Sequence, residues 1–280
     1  MRLAPGGPFD KERAPASPEI ERNIKAKYHL DKPIHQQYLI WLSGVVHGDF
    51  GPSLKYRSHT VTDIIRNGLP ITLLIGGLSL CFALGIGIPL GFVTAVKKGD
   101  WEDYIGSTLS ILCICIPALV VGPILVMIFA VHWKIFPVAM IGSVQHLILP
   151  TVTLGLYFAG RVARLMREGM LGILDAEFIT AARAKGVSEF DILTKHAFRI
   201  GVLPVVSYSG PLLADLMIGS FVVEKLFLIP GIGVFLVNSS LNRDYTLLIS
   251  LVLLYAVVLL VANLLVDLAY SYLDPRVKFE

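Results

Sequence analysis

Charge is scarce in this 280-residue sequence, and what there is lies unevenly. Charged side chains make up 16% of the residues and hydrophobic ones 55%, with a mean hydropathy of +0.70. A soluble domain carries about 25% charge. Five stretches, 67–96, 104–133, 135–160, 200–223 and 245–266, hold a single charged residue among them, Asp215. A helix that crosses a bilayer needs about 20 apolar residues, and a surface helix of a soluble protein keeps a charged face. The scarcity therefore excludes a soluble enzyme and a disordered chain. The net charge of +3 is too small to hold a polyanion, which sets nucleic acid aside as a partner.

Other absences narrow the chemistry. There are three cysteines, Cys81, Cys113 and Cys115, all inside apolar stretches and without the spacing of a metal or redox pair. The seven histidines include no i, i+4 pair with a third ligand nearby, so no metal site is expected. No Gly-x4-Gly-Lys-Ser/Thr occurs, so the chain supplies no P-loop of its own. No Ser/His/Asp or paired-carboxylate constellation stands out, and no catalytic residue is assigned. Residues 1–20 lack a basic segment followed by an apolar run, so no signal peptide is read there.

What is present is an all-α pattern of five spans: Leu69–Val96, Tyr104–Val131, a third within 136–160 starting near Gln145, a fourth at about 200–223, and Tyr245–Leu268. Prolines 89, 117, 123, 150, 204 and 211 fall within or beside them and predict kinks. Glycines 76, 77, 85, 87 and 91 give the first span small faces for close helix contact. The segment before it, 1–66, is polar, with helical patches expected at Pro18–Tyr28 and Ile34–Val46.

Loop charge sets the orientation. The connections 97–103, 161–199 and 274–280 carry 11 Lys/Arg, and the opposing ones, 132–146 and 224–244, carry three. The richer set is expected in the cytoplasm. The expected organisation is an extracytoplasmic segment 1–66, a transmembrane domain 67–273 with a cytoplasmic loop 161–199, and a cytoplasmic tail 274–280. A segment with ten basic residues does not cross a membrane unaided. A further span ahead of it is expected, the alternative being N-out insertion without a leader.

The loop 161–199 is the most informative segment. Asp175 is positioned to cap a short helix over 176–185, and Gly186 suits a left-handed stop. Ser188-Glu189-Phe190-Asp191 then reads as the start of a second helix that runs towards Pro204. Ten helical residues span about 15 Å, too little to cross a bilayer. Phe178, Ala181, Ala182 and Lys185 share a face, which suits either a connector lying on the bundle or a helix that docks on another protein.

Here the sequence resembles a known family. Ala181-Ala182-Arg183-Ala184-Lys185-Gly186, followed by Leu203-Pro204, looks like the EAA loop of ABC-importer membrane subunits. The fuller stretches Phe178–Gly186 and Lys195–Arg199 are similar to the version found in the oligopeptide and dipeptide permeases. So are Leu3–Gly6, Tyr28–Pro33, Gly48–Ser53, Ile229–Gly233, Asn242–Tyr245 and Asp274–Arg276, in the same order along nearly the whole chain. Thr180 stands where the motif's name expects an acid, and Ile229 where leucine is usual.

The resemblance implies a type I ABC-importer permease fold whose usual first span is missing here. It implies a peptide-import subunit of a bacterial inner membrane, multi-pass, with its C-terminus in the cytoplasm. Phe178, Ala181, Ala182, Lys185 and Gly186 would dock an ATPase, and Asp49, Tyr56 and Arg243 would meet a peptide-binding protein. Expected partners are a homologous second permease, two cytoplasmic ATPases, the extracytoplasmic binding protein and membrane lipid. No cofactor is expected on this chain, with ATP and magnesium held by the ATPases. Asp215, costly inside a span, lines the translocation path, pairs with a cation of the partner subunit or lies shallow. Rival readings are a secondary transporter, a membrane-embedded enzyme, or a same-family importer of dipeptides, nickel chelates or glutathione.

Overall fold

The computed structural model describes residues 32–56 and 59–273, with backbone alone at 218–219 and 270–273. The expected patch Pro18–Tyr28, the motifs Leu3–Gly6 and Asp274–Arg276, most of Tyr28–Pro33 and the tail 274–280 lie outside the described residues. Among those described the structure is helical, with one isolated bridge between Pro52 and Thr60. Among the described residues four helices are long and apolar enough to cross a membrane, five if a bent helix pair counts as one span.

Helix α1 is Ile34–Val46, as its periodicity predicts. Helix α2, Val61–Val96, begins eight residues before the first apolar span. A reciprocal cap starts it: the Asp63 N–H donates to the Thr60 hydroxyl (3.1 Å), and that hydroxyl donates to Asp63 Oδ2 (2.7 Å).

The expected second span is not one rod. Helix α3, Trp101–Cys115, meets at 103° the run Ala118–His132, which opens with helix α4, Ala118–Leu125. Pro117 is the cause. Its ring drives Ile116 out of the helical region (φ −90°, ψ 116°), and Pro117 itself is extended. Beyond α4, the chain continues in a π-helical turn, Val126–His132.

Helix α5, Gln145–Leu174, starts where expected but does not stop at Gly160. The first 14 residues assigned to the loop 161–199 are helical. The charges misled the reading because they occupy only part of the circumference. Arg164 pairs with Glu168 at 2.9 Å and Arg167 with Asp103 at 2.8 Å, while Val162, Ala163, Met166 and Met170 continue the buried face. Helix α6 is Glu177–Ala184, α7 Glu189–Asp191 and α8 Phe198–Gly201, with a π-helical turn Ile192–Ala197 between the last two. Helix α9, Leu203–Leu226, carries Pro204 in its first turn, where the missing N–H costs nothing. Helix α10, Gly233–Leu241, and helix α11, Tyr245–Leu273, complete the chain.

The chain divides into two compact units. One joins the chain up to Thr72 with Pro230–Tyr255; the other joins Leu73–Ile229 with the chain from Ala256. In the first unit, Asp244 is fully buried. Its Oδ1 accepts from Leu247 N–H (3.2 Å) in the first turn of α11. Its Oδ2 accepts from the Ser53 hydroxyl and from the N–H groups of Leu54 (3.1 Å) and Lys55 (3.2 Å). Ile232, also fully buried, donates its N–H to the Thr72 hydroxyl at 2.9 Å. Two of the sequence motifs, Gly48–Ser53 and Asn242–Tyr245, are thus joined through one carboxylate.

In the second unit, α5 is the axis. A Cβ added at Gly87 would lie 2.7 Å from the Ala159 carbonyl, and one at Gly91 only 2.2 Å from that of Ala163. These two glycines let α2 touch the backbone of α5, as the small-face reading predicts. Gly77 and Gly85 face open space and make no such contact. The Arg167 guanidinium grips Asp103 with both forks, Nε to Oδ1 at 2.8 Å and Nη2 to Oδ2 at 2.9 Å, and so ties α5 to the start of α3.

Candidate functional site

Helix α6 has eight residues and is about 12 Å long. Its N-cap is Ala176, with no side-chain cap bond, because Asp175 is used as the C-cap of α5. The expected Asp175 cap is therefore absent. The helix ends as predicted. Gly186 takes φ +76°, and the N–H groups of Gly186 and Val187 bond back to the carbonyls of Arg183 (3.0 Å) and Ala182 (3.2 Å). A Cβ there would meet nothing within 4 Å, so only the backbone requires glycine.

One residue anchors α6. Ile179 is fully buried, and Ala182, one turn on, is half-buried. Phe178, Ala181, Lys185 and Gly186 are exposed. Ala182 therefore leans towards the bundle and not onto the outward face that the sequence assigned it. Phe178 leaves 44% of its surface uncovered, unusual for an aromatic residue in a helix with a buried face of its own.

Two features escaped the sequence reading. Arg183 bonds Glu189 across the glycine turn, Nε to Oε1 at 2.7 Å and Nη2 to Oε2 at 3.4 Å. This clasp bridges the turn between α6 and α7. Phe190, read only as part of a helix start, is 75% exposed and puts a second ring near the turn. An acid six residues after an arginine, across a glycine stop, was the available signal for the clasp.

Ser188 caps α7 as predicted. Its hydroxyl accepts from Asp191 N–H (3.2 Å) and donates to Asp191 Oδ2 (2.8 Å). Hydrogen bonding from Lys195, and then from Ser188, holds the Asp191 carboxyl below its ordinary value. These bonds set the start of the helical run that leads, through Val202, into α9.

The three residues expected to meet a binding protein all lie in the first unit. Asp49 is exposed, and its carboxylate accepts from Gly51 N–H at 2.9 Å, shaping its own loop. Tyr56 is half-buried with its ring edge-on to Phe235 at 5.2 Å. Arg243 is half-buried at φ +57°, beside the buried Asp244. Asp215 is exposed on α9 in the second unit.

Long apolar helices joined to a short, exposed helix make a polytopic helical fold, and solved structures share it. The structure is similar to the inward-facing MetNI methionine ABC transporter, with a TM-score of 0.62 and 17% identity over 75% of this chain and 96% of that one. It is similar also to an amino acid ABC transporter crystallised with histidines, with a TM-score of 0.55 and 18% identity over 81% and 96%. The fold is that of an ABC-importer permease.

Sequence similarity gives the family. Residues 87–279 match the binding-protein-dependent transport system inner membrane component, and the chain belongs to that family. It is 40% identical to the oligopeptide transport system permease protein OppB of Escherichia coli K12 and 39% to that of Haemophilus influenzae, each over 100% of this chain and 92% of the relative. It is 39% identical to the dipeptide transport system permease protein DppB of Bacillus subtilis 168, over 99% of this chain and 90% of the relative.

Proposed function

We propose that this chain is one membrane subunit of an ATP-driven peptide importer, forming half of the path with a homologous second permease. The near-full-length similarity to peptide permeases carries this reading. The oligopeptide and dipeptide relatives match equally, at 39–40% identity, so the proposed substrate is peptides as a class. The orientation follows loop charge, with α6 and the C-terminus in the cytoplasm and the 224–244 loop outside.

In this reading α6 docks in an ATPase subunit. Phe178, Ala181, Lys185 and Gly186 face the partner, while Ile179 and Ala182 hold the helix to the bundle. ATP and magnesium bind the two ATPases, and their closure moves α6. The Arg183–Glu189 clasp passes that movement to the helical run ending in α9, and the path opens outward. Hydrolysis resets it. This is alternating access driven by a ligand that binds one state better. Asp49, Tyr56 and Arg243 meet a peptide-binding protein, and Asp215 stands on the path.

Reconstituted with its partners, the complex takes up peptide only with ATP and continues when the proton gradient is collapsed. Uptake that follows the proton gradient and ignores ATP would instead show a secondary transporter.

A further inference from the structure

Helix α5 carries three arginines at successive turns, Arg161, Arg164 and Arg167. Arg167 is paired with Asp103 and Arg164 with Glu168. Among the described residues no carboxylate lies within ion-pair distance of Arg161. Its guanidinium is held instead by two rings, 5.7 Å from the centre of Tyr157 on its own helix and 5.2 Å from that of Tyr208 on α9. Tyr208 leads to Asp215. The two are seven residues apart, two turns along one face of α9, and Asp215 lies within electrostatic reach of the Tyr208 ring. Pro211, between them on that face, is also exposed.

A half-buried cation held at Tyr208 and an exposed anion thus mark two ends of one strip, in which Tyr208 and Asp215 are about 10 Å apart along α9. No ion pair joins them, although each is costly alone in a spanning helix. Their charges are of opposite sign and set apart, as are the ends of a short zwitterion. The guanidinium lies over both rings, and its fork of N–H donors matches a planar carboxylate.

We propose that Arg161, held between Tyr157 and Tyr208, and Asp215 form a bipolar site for the free ends of a peptide in transit. Arg161 receives the terminal carboxylate and Asp215 the terminal ammonium. The proposal rests on the peptide-import reading and adds to it what the path recognises, namely the termini common to every peptide and not the side chains that differ.

The test uses the assembled importer in proteoliposomes, with the same binding protein in every sample. Uptake is compared for one peptide in three forms: free, C-terminally amidated and N-terminally acetylated. Changes in the ratios then come from this chain alone. Arg161→Gln is expected to slow the free peptide about tenfold while hardly changing the amidated one, so that the parent's preference between them disappears. Arg161→Lys keeps part of that preference. Asp215→Asn, at an exposed position, should erase the preference against the acetylated form only. Equal slowing of all three forms by both variants overturns the site and makes the two residues structural. If Arg161→Gln prevents assembly, Asp215→Asn still decides, because unchanged ratios in that variant overturn the proposal. A parent complex that takes up no form of the peptide overturns the peptide-import reading itself, and this assignment falls with it.

Discussion

Gly91 and Gly186 are both indispensable glycines, for opposite reasons. A side chain at Gly91 would strike the carbonyl of Ala163 at 2.2 Å, so the residue is required by its neighbour on α5. A side chain at Gly186 would strike nothing within 4 Å, and the residue is required by its own φ of +76°. The interior is held by close contact and buried polar pairs. The turn between α6 and α7 is held by backbone geometry and exposed pairs. An element that must meet a partner and move with it cannot be locked into the bundle, because motion of packed helices costs every contact they share.

That contrast can be broken by substitution, starting at Gly91. Gly91→Leu is expected to destabilise the subunit by about 3 kcal/mol or more, because backbone cannot yield as a side chain does. Loss of the assembled complex on size-exclusion chromatography would show it. A variant that assembles normally would mean the helices are free to separate. Asp244→Ala should cost nearly as much, about 3 kcal/mol, since it leaves the Ser53 hydroxyl and two loop N–H groups without their acceptor. A lower Tm in detergent measures this.

Two salt bridges sharpen the comparison. Arg167→Ala takes the partner from Asp103, whose side chain is 9% exposed, and a loss of about 2 kcal/mol is expected in a thermal melt. Arg183→Ala removes a pair with side chains 44% and 59% exposed, and no melting shift should be seen. Uptake per ATP hydrolysed should nevertheless fall in Arg183→Ala, because the glycine turn is no longer bridged. Gly186→Val should cost only about 1–2 kcal/mol of backbone strain yet uncouple uptake from hydrolysis. Unchanged uptake in that variant would remove the docking role from α6.

The smallest effect concerns acid. Asp191 is held below its ordinary value of 3.8, so the charge on the cap contributes stability above that pH and loses it as pH falls further. Hydrogen-exchange protection factors at 189–197, corrected for the intrinsic rate at each pH, should stay constant down to about pH 4 and fall only below it. Fraying that begins nearer neutrality would show that another group holds the turn.

The spans were legible because each needs about 20 apolar residues in a row, a signal carried by neighbours in sequence. Gly186 and Ser188 were legible for the same reason, as a turn and a cap are decided within a few residues. Errors arose where distant partners decide. Arg167 looked like a loop residue because Asp103, 64 positions away, was not visible as a partner, and Arg161 because the ring of Tyr208 on α9 was not. Asp175 looked like the cap of α6 until α5 proved long enough to use it first. The bend at Pro117 was foreseen as a kink, but its size of 103° depends on what α3 and α4 pack against.

The sequence by itself determined that this chain spans a membrane several times, which connections carry the positive charge, and where a glycine must end the short helix. All follow from composition and local backbone chemistry. Tertiary structure decided the rest. It turned Ile179 inward and Phe178 outward, joined Arg183 to Glu189, and buried Asp244 against a loop about 190 residues earlier in the chain. It also left Arg161 between two tyrosines, with no acid in reach among the described residues. Such pairings depend on which side chains meet when helices pack, and spacing along a chain does not record distance through space.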